Sequence, residues 1–145
     1  MWLFLVAVHV MANVVWIGAI ASVGWLTRRS ADPALGSAES KALADAAYHL
    51  IYMRGAVPAF IVSFLAGVSR VAQDPRGYFS LHWFHGKLLF ALVVIGLHHV
   101  LGAKAKKAAG GSRQGKDTSA ILTGALLAAS FLTVVFAVMK ANLVT

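Results

Sequence analysis

The chain has no cysteine, only five acidic residues and few charged residues of either sign, which make up 12% of its 145 residues. Without cysteine it can form no disulfide, iron–sulfur cluster or zinc–thiolate site. A soluble domain of this length needs more polar surface to cover its core. Apolar residues make up 59% of the chain, and the mean hydropathy is +0.76. This composition predicts one integral membrane domain.

Four long apolar runs account for this composition: residues 2–26, 50–71, 83–101 and 121–139. Each approaches or exceeds the ~20 residues that cross ~30 Å of hydrocarbon. Backbone groups in lipid must be satisfied internally and no alternating strand pattern is present, so we expect helices. The first run lacks the positive start of a secretory signal and precedes Arg28 and Arg29, which favours a retained span. The predicted fold class is an all-α membrane protein, a four-helix bundle formed by residues 1–145.

The segments between the runs predict how the helices are joined. Asp32-Pro33 breaks the chain after the first run. From Ser37 we expect a capped helix that continues into the second run. Pro58 lies inside that run and predicts a kink, because proline removes a backbone hydrogen bond.

Basic residues are distributed unevenly between the two ends of the predicted bundle. One end has Arg70 and Arg76, and the other has Arg28, Arg29, Lys41, Lys104, Lys106, Lys107, Arg113 and Lys116. The positive-inside rule then places both termini outside, as in a multi-pass protein of a bacterial inner (plasma) membrane. The basic stretch at 104–116 adjoins an apolar run, so we expect it to contact membrane lipid and expect no nucleic-acid partner.

Ionisable groups inside the apolar runs are the strongest indication of a functional site. Such groups are costly to place in lipid, so they usually face the bundle interior. Neutral imidazole is also a common ligand of metals and of haem iron. His9, Asn13 and Trp16 are spaced i, i+4 and i+7, which places them on one helix face. We expect Asn13, one turn from His9, to orient its ring.

The third run carries further ionisable residues. At ~100° per residue, Lys87 and His98 share one helix face, whereas His85 and His99 share another. The predicted topology places His9 and Lys87 toward the outer end. His98 lies roughly 13–15 Å deeper than His9, at ~1.5 Å per residue.

Several of these residues have an ordinary alternative role. His49, His82, His85 and His99 lie near enough to a membrane boundary to be interfacial residues, and lysine side chains can extend to the headgroups. His9 lies deeper, with Asn13 on the same face, so the interfacial explanation fits it least well.

Several residues follow an order found in a known family. They are His9 with Trp16-Ile17-Gly18, then Tyr52 and Pro58, then His85-Gly86-Lys87 with His98, and finally Lys140. This pattern spans nearly the whole chain. It resembles the HemJ-type protoporphyrinogen IX oxidases and the wider CopD-like membrane protein superfamily.

The resemblance implies an inner-membrane protein that binds haem b and oxidises protoporphyrinogen IX to protoporphyrin IX. It makes His9 and His98 candidate iron ligands and Lys87 the candidate catalytic residue, with Asn13, His85 and Arg54 as further cofactor-binding candidates. The porphyrinogen substrate is flat and carries two propionates, which suits an intramembrane cleft with cations such as Lys87, Lys140 or Arg54 at its rim. A quinone or another respiratory-chain carrier is the expected electron acceptor.

The chain departs from the family pattern at its basic end. Trp25 and Ser30 stand where the family has an arginine and a histidine, and Leu50 stands where it has an arginine. The family's Asn-Glu before the last helix has no counterpart near Asp117. If those groups bind substrate or relay protons in the family, we expect this chain to keep the haem fold and to have lost or changed the reaction.

Two other function classes stay open. One is CopD-like copper transport or resistance, although copper prefers soft ligands beside imidazole and only Met11 is near His9 in the sequence, on a different face. The other is a non-catalytic b-type electron-transfer cytochrome with two haems, one among the histidines near the outer end of the bundle and one among those near the inner end. The oligomeric state is open as well, a homo-oligomer included.

Overall fold

The computed structural model describes residues 2–112 and 117–139, which are helical apart from short turns. The helices are α1 (Trp2–Ser30), α2 (Ser37–Asp45), a π-helical segment (Ala46–Ala56), α3 (Val57–Gln73), α4 (Pro75–Phe79), α5 (His82–Ala109) and α6 (Ser119–Val138). The segments from Ser37 to Gln73 form one continuous helical stretch. Four stretches are long and apolar enough to cross a membrane, which confirms the predicted all-α, four-helix fold.

The helices extend beyond the apolar runs that predicted them. α5 continues to Ala109 through alanine and lysine, which are strong helix formers, and Lys106 and Lys107 in its last turn favour the negative end of the helix dipole. The helix expected at Ser37 begins there, but its N-cap is Gly36. A hydrogen bond from the Ser40 hydroxyl to the Ser30 carbonyl ties this start to the end of α1.

A π-helical segment ends two residues before Pro58, the position of the predicted kink. Proline has no N–H to donate, and its ring clashes with the carbonyl four residues earlier, at Arg54. Between Ala46 and Ala56 the chain instead adopts wider turns, in which each N–H bonds to the fifth carbonyl back. Such turns are rare and occur frequently at functional sites. The side chains of this segment are therefore candidate site residues.

α1 is the central helix of the bundle. It packs against α3, the π segment, α5 and α6, and its buried Trp16, Ile20 and Val23 form the core with Leu101 and Leu126. Many other large apolar side chains are exposed, as expected for helices that face lipid rather than water. The core is thus a narrow seam around one face of α1.

α5 leans towards α6 and away from α3. Gly86 makes room for the Phe136 ring, and Phe90 stacks on the same ring with centroids 5.8 Å apart. Within residues 2–112 and 117–139, the α3 backbone does not approach α5 or α6. We call the resulting gap, with α3 and α5 as its walls and α1 as its floor, the α3–α5 groove. α4 contacts both walls at the end opposite the basic loops.

Candidate functional site

The α1–α3 interface builds the site. The two helices run antiparallel, and their side chains meet in order along the interface. Trp16 packs on Phe60 with ring centroids 5.0 Å apart, Asn13 meets Ser63, and His9 lies against Gly67. This register brings a histidine and an asparagine of α1 onto the one stretch of α3 that carries small residues.

His9 is held by hydrogen bonds at both ring nitrogens. Its Nδ1 lies 2.8 Å from the backbone carbonyl oxygen of Ser63, and its Nε2 lies 3.1 Å from Nδ2 of Asn13. The same Asn13 nitrogen donates to the His9 carbonyl at 2.9 Å, and the Ser63 hydroxyl donates to Oδ1 of Asn13 at 2.9 Å. We call these three residues the His9 network. The expected contact between Asn13 and His9 is present.

These partners assign the tautomer of His9. A carbonyl can only accept, so Nδ1 carries the proton, and Nε2 is left with a lone pair that accepts from Asn13. Metal-binding histidines are commonly oriented in this way, with one ring nitrogen donating to a carbonyl and the other available to the metal. Metal binding at Nε2 would replace the hydrogen bond that Nε2 accepts from Asn13, which is worth about 0.5–1.5 kcal/mol. Asn13 would keep its bond to the His9 carbonyl.

Gly67 and Lys87 complete the surroundings of His9. A Cβ at position 67 would lie 3.0 Å from Cε1 of His9, so a glycine allows the ring to lie flush against α3. From the opposite wall of the groove, the charge of Lys87 lies close enough to act on the His9 ring. The structure therefore brings His9 and Asn13 into direct contact, with Lys87 on the facing helix α5.

His98 lies in a separate aromatic cage. It is 1% exposed, and its ring centroid lies 5.1 Å from that of Tyr52 and 5.1 Å from that of Phe60, with interplanar angles of 29° and 31°. The Trp16 indole N–H donates to Nδ1 of His98 at 3.1 Å. A Cβ at position 102 would overlap the Tyr52 ring, so Gly102 provides the space for that wall. We call Trp16, Tyr52, Phe60 and His98 the His98 cage.

The indole bond assigns the opposite tautomer to His98. Trp16 has only a donor to offer, so Nδ1 of His98 accepts and Nε2 carries the proton of the neutral ring. In this arrangement neither nitrogen presents a lone pair to iron. His9 thus fits a haem ligand, whereas His98 would first have to release Trp16, change tautomer and leave its stacked position.

The remaining candidates lie apart from these two clusters. His85 is exposed, with Nε2 3.0 Å from the Phe79 carbonyl, and Arg54 is exposed on the π segment. His49, His82 and His99 are also exposed, in keeping with interfacial positions. Lys140 lies outside the described residues. Of the candidate cations among the described residues, Lys87 is half-buried and Arg54 is exposed.

Three residues of these clusters had no functional role in the sequence analysis. Ser63 supplies the carbonyl that orients His9, Gly67 lies against its ring, and Phe60 forms a wall of the His98 cage. The sequence shows that Ser63 and Gly67 are small residues spaced i and i+4. It does not show which face of the second helix meets His9, because that face depends on the winding of the π segment.

The described residues contain no group of three or more histidine, cysteine, aspartate or glutamate side chains that could hold a metal ion. A bare copper ion would need such a group, which is not preformed in this part of the chain. Haem makes a smaller demand, because the porphyrin provides four nitrogens and the protein only the axial positions. The donor set therefore suits haem better than copper.

Comparison with known proteins returns no match: no protein-family model, curated protein or solved structure is similar to the chain.

Proposed function

We propose that the protein binds haem b inside the membrane through His9 and uses it to oxidise a porphyrinogen, with protoporphyrinogen IX as the preferred substrate. The observation that supports this most directly is the orientation of His9. Its Nδ1–H is fixed on the Ser63 carbonyl, so Nε2 can serve as the iron-binding atom. Bound haem would supply one-electron acceptance, with a quinone or another respiratory-chain carrier as the final acceptor.

The α3–α5 groove suits a planar, apolar ligand. Within the described residues the backbones of its two walls do not approach each other, although Phe60 of α3 packs on His98 of α5. Its floor is the α1 face that carries His9 and Asn13. A tetrapyrrole can lie flat between two such walls and exclude water from the reacting carbons. Entry from the lipid side would be natural for a substrate that partitions into the membrane.

Lys87 is the proposed substrate-binding and catalytic residue. It projects from α5 on the same face as Val94, His98 and Leu101, towards the bundle interior, and its charge reaches the His9 ring. An ammonium group in this position can bind a propionate and hold the tetrapyrrole in a fixed orientation. It can also carry or return a proton as the substrate loses hydrogen.

The binding step is tested by the spectrum of the purified full-length protein. We expect a Soret band and, after reduction, the α-band of a b-type haem. The His9→Ala variant should lose these bands, whereas His82→Ala, which removes an exposed histidine from the start of α5, should keep them. A wild-type protein that contains no haem after expression with added haem precursor would refute the proposal.

Catalysis is tested separately with Lys87→Gln. We expect this variant to keep its haem spectrum and lose porphyrinogen oxidation, measured as the appearance of porphyrin fluorescence under conditions that suppress autoxidation. If wild-type protein with full haem content neither oxidises porphyrinogen nor restores growth of a strain lacking the oxidase, the catalytic part of the proposal is wrong. Haem binding through His9 would stand in that case, as in an electron-transfer cytochrome.

A further inference from the structure

The basic end of the bundle contains a cavity that has no role in the site described above. It is open, has a volume of about 660 Å³ and lies where α1 ends and α6 begins. Its lining includes Trp25, Arg28, Arg29, Ala31, Asp32 and Asp117. The cavity is therefore polar and lies at the level expected for headgroups if the four helices cross a membrane.

The charges around this cavity do not balance. Arg29 pairs with Asp32, and Asp117 has Lys104 at 3.9 Å, so both carboxylates of the lining have a cationic partner. The remaining charged side chain is Arg28, which is exposed and has no ion pair or side-chain hydrogen bond among residues 2–112 and 117–139. Among the described residues, Arg28 is therefore the cationic side chain of the lining without a carboxylate partner, and its guanidinium can donate several hydrogen bonds.

A second, independent observation concerns two buried hydroxyls beside the cavity. Thr27 is 3% exposed and Ser119 is fully buried, and the described residues offer no hydrogen-bond partner to Oγ1 of Thr27 or Oγ of Ser119. Buried hydroxyls without partners are rare, and a bound water molecule or ion is one explanation for them. Thr27 precedes Arg28 and Ser119 follows Asp117 by two residues, so both are next to lining residues in the sequence without being part of the lining.

The helix register places these hydroxyls on opposite sides of one interface. A Cβ at Gly24 would overlap the Thr123 side chain, so α1 and α6 meet at these two positions. The helices run antiparallel, and Thr27 and Ser119 each lie one turn further towards the basic end. They therefore lie at the same level of the α1–α6 interface.

Trp25 indicates which kind of ligand is bound. It lies one turn before Arg28, is 64% exposed, and belongs to the residue type that prefers the headgroup level of a bilayer. Basic pockets between membrane helices bind the phosphates of anionic lipids. We propose that this cavity binds the phosphate of one anionic phospholipid, held by Arg28, with Trp25 beside its glycerol.

The test uses the purified full-length protein in neutral detergent, titrated with short-chain phosphatidylglycerol or phosphatidylcholine and analysed for bound lipid by native mass spectrometry. We expect one phosphatidylglycerol to bind in preference to phosphatidylcholine. Arg28→Gln should weaken this binding about tenfold, the effect of losing one charged hydrogen bond. Lys41→Gln is the matched control, because it removes a charge from the same end, outside the cavity, where Lys41 pairs with Asp45 at 2.7 Å.

Three results would overturn the proposal. Equal weakening by Arg28→Gln and Lys41→Gln would show diffuse surface attraction, and equal binding of the two lipids would show no phosphate site. Displacement of the lipid by inorganic phosphate at constant ionic strength would identify free phosphate as the ligand instead. Circular dichroism of each variant verifies that the helices are retained.

Discussion

The His9 network and the His98 cage meet the same face of α1, one at His9 and the other at Trp16, seven residues further on. They nevertheless hold their histidines in opposite ways. At His9 the proton is on Nδ1, the partners are polar, and the ring is half-buried beside the α3–α5 groove. At His98 the proton is on Nε2, and the fully buried ring is packed by aromatic side chains. One arrangement leaves a nitrogen that can change partners at small cost, whereas the other has no such nitrogen. We infer that the His9 network serves binding and the His98 cage serves stability.

The largest expected effect is on stability, from the cage. His98→Ala removes a buried ring and leaves the Trp16 N–H without an acceptor, so we expect the free energy of unfolding to fall by about 2–5 kcal/mol. Unfolding in mixed detergent micelles measures this change. His99→Ala, at the exposed neighbouring position, should change the free energy of unfolding by less than about 0.5 kcal/mol. Equal losses in the two variants would contradict the stabilising role of the cage.

The wall of the cage formed by Tyr52 gives the next effect. Gly102→Ala places a methyl group where the Tyr52 ring lies, and the resulting displacement should cost about 1–3 kcal/mol of unfolding free energy. Gly96→Ala is the control on the same helix, because nothing lies within 4 Å of its added Cβ. That control should leave stability unchanged or raise it, since alanine favours helix more than glycine does. Two variants of equal stability would show that Tyr52 is not fixed against α5.

A double-mutant cycle isolates the hydrogen bond between Trp16 and His98. With Trp16→Phe and His98→Leu, we expect a coupling energy of about 1 kcal/mol in the free energy of unfolding. The same cycle between Trp16 and His9 should give coupling below about 0.5 kcal/mol, because the two residues share no partner. Similar coupling in both cycles would mean that the two clusters form one network.

The smallest effect is expected at Ser63. Ser63→Ala removes the hydroxyl that bonds to Asn13 but keeps the backbone carbonyl that orients His9, so stability should fall by about 1 kcal/mol with haem content unchanged. Haem absorbance per protein and the unfolding midpoint measure the two quantities on one sample. If the variant loses haem to the extent that His9→Ala does, the hydroxyl rather than the carbonyl holds the ligand.

The sequence alone predicted the four spanning helices and which residues lie on the same face of one helix. The apolar runs predicted four spans, and helical phase predicted that Asn13 would meet His9 and that Lys87 and His98 would share a face. The contacts between helices could not be predicted in this way. The approach of Ser63 to His9 and of Trp16 to His98 depends on the rotation of each helix about its axis, which periodicity alone does not fix.

The π segment between Ala46 and Ala56 sets that rotation for α3. A π-helix advances by a smaller angle per residue than an α-helix, so rewinding the segment would turn all of α3 about its axis without moving α2. Phe60 and Ser63 would then leave α1 in the same motion. Both clusters therefore depend on the winding of this one segment. A change of winding would loosen the packing of His98 and at the same time release the Ser63 carbonyl from His9.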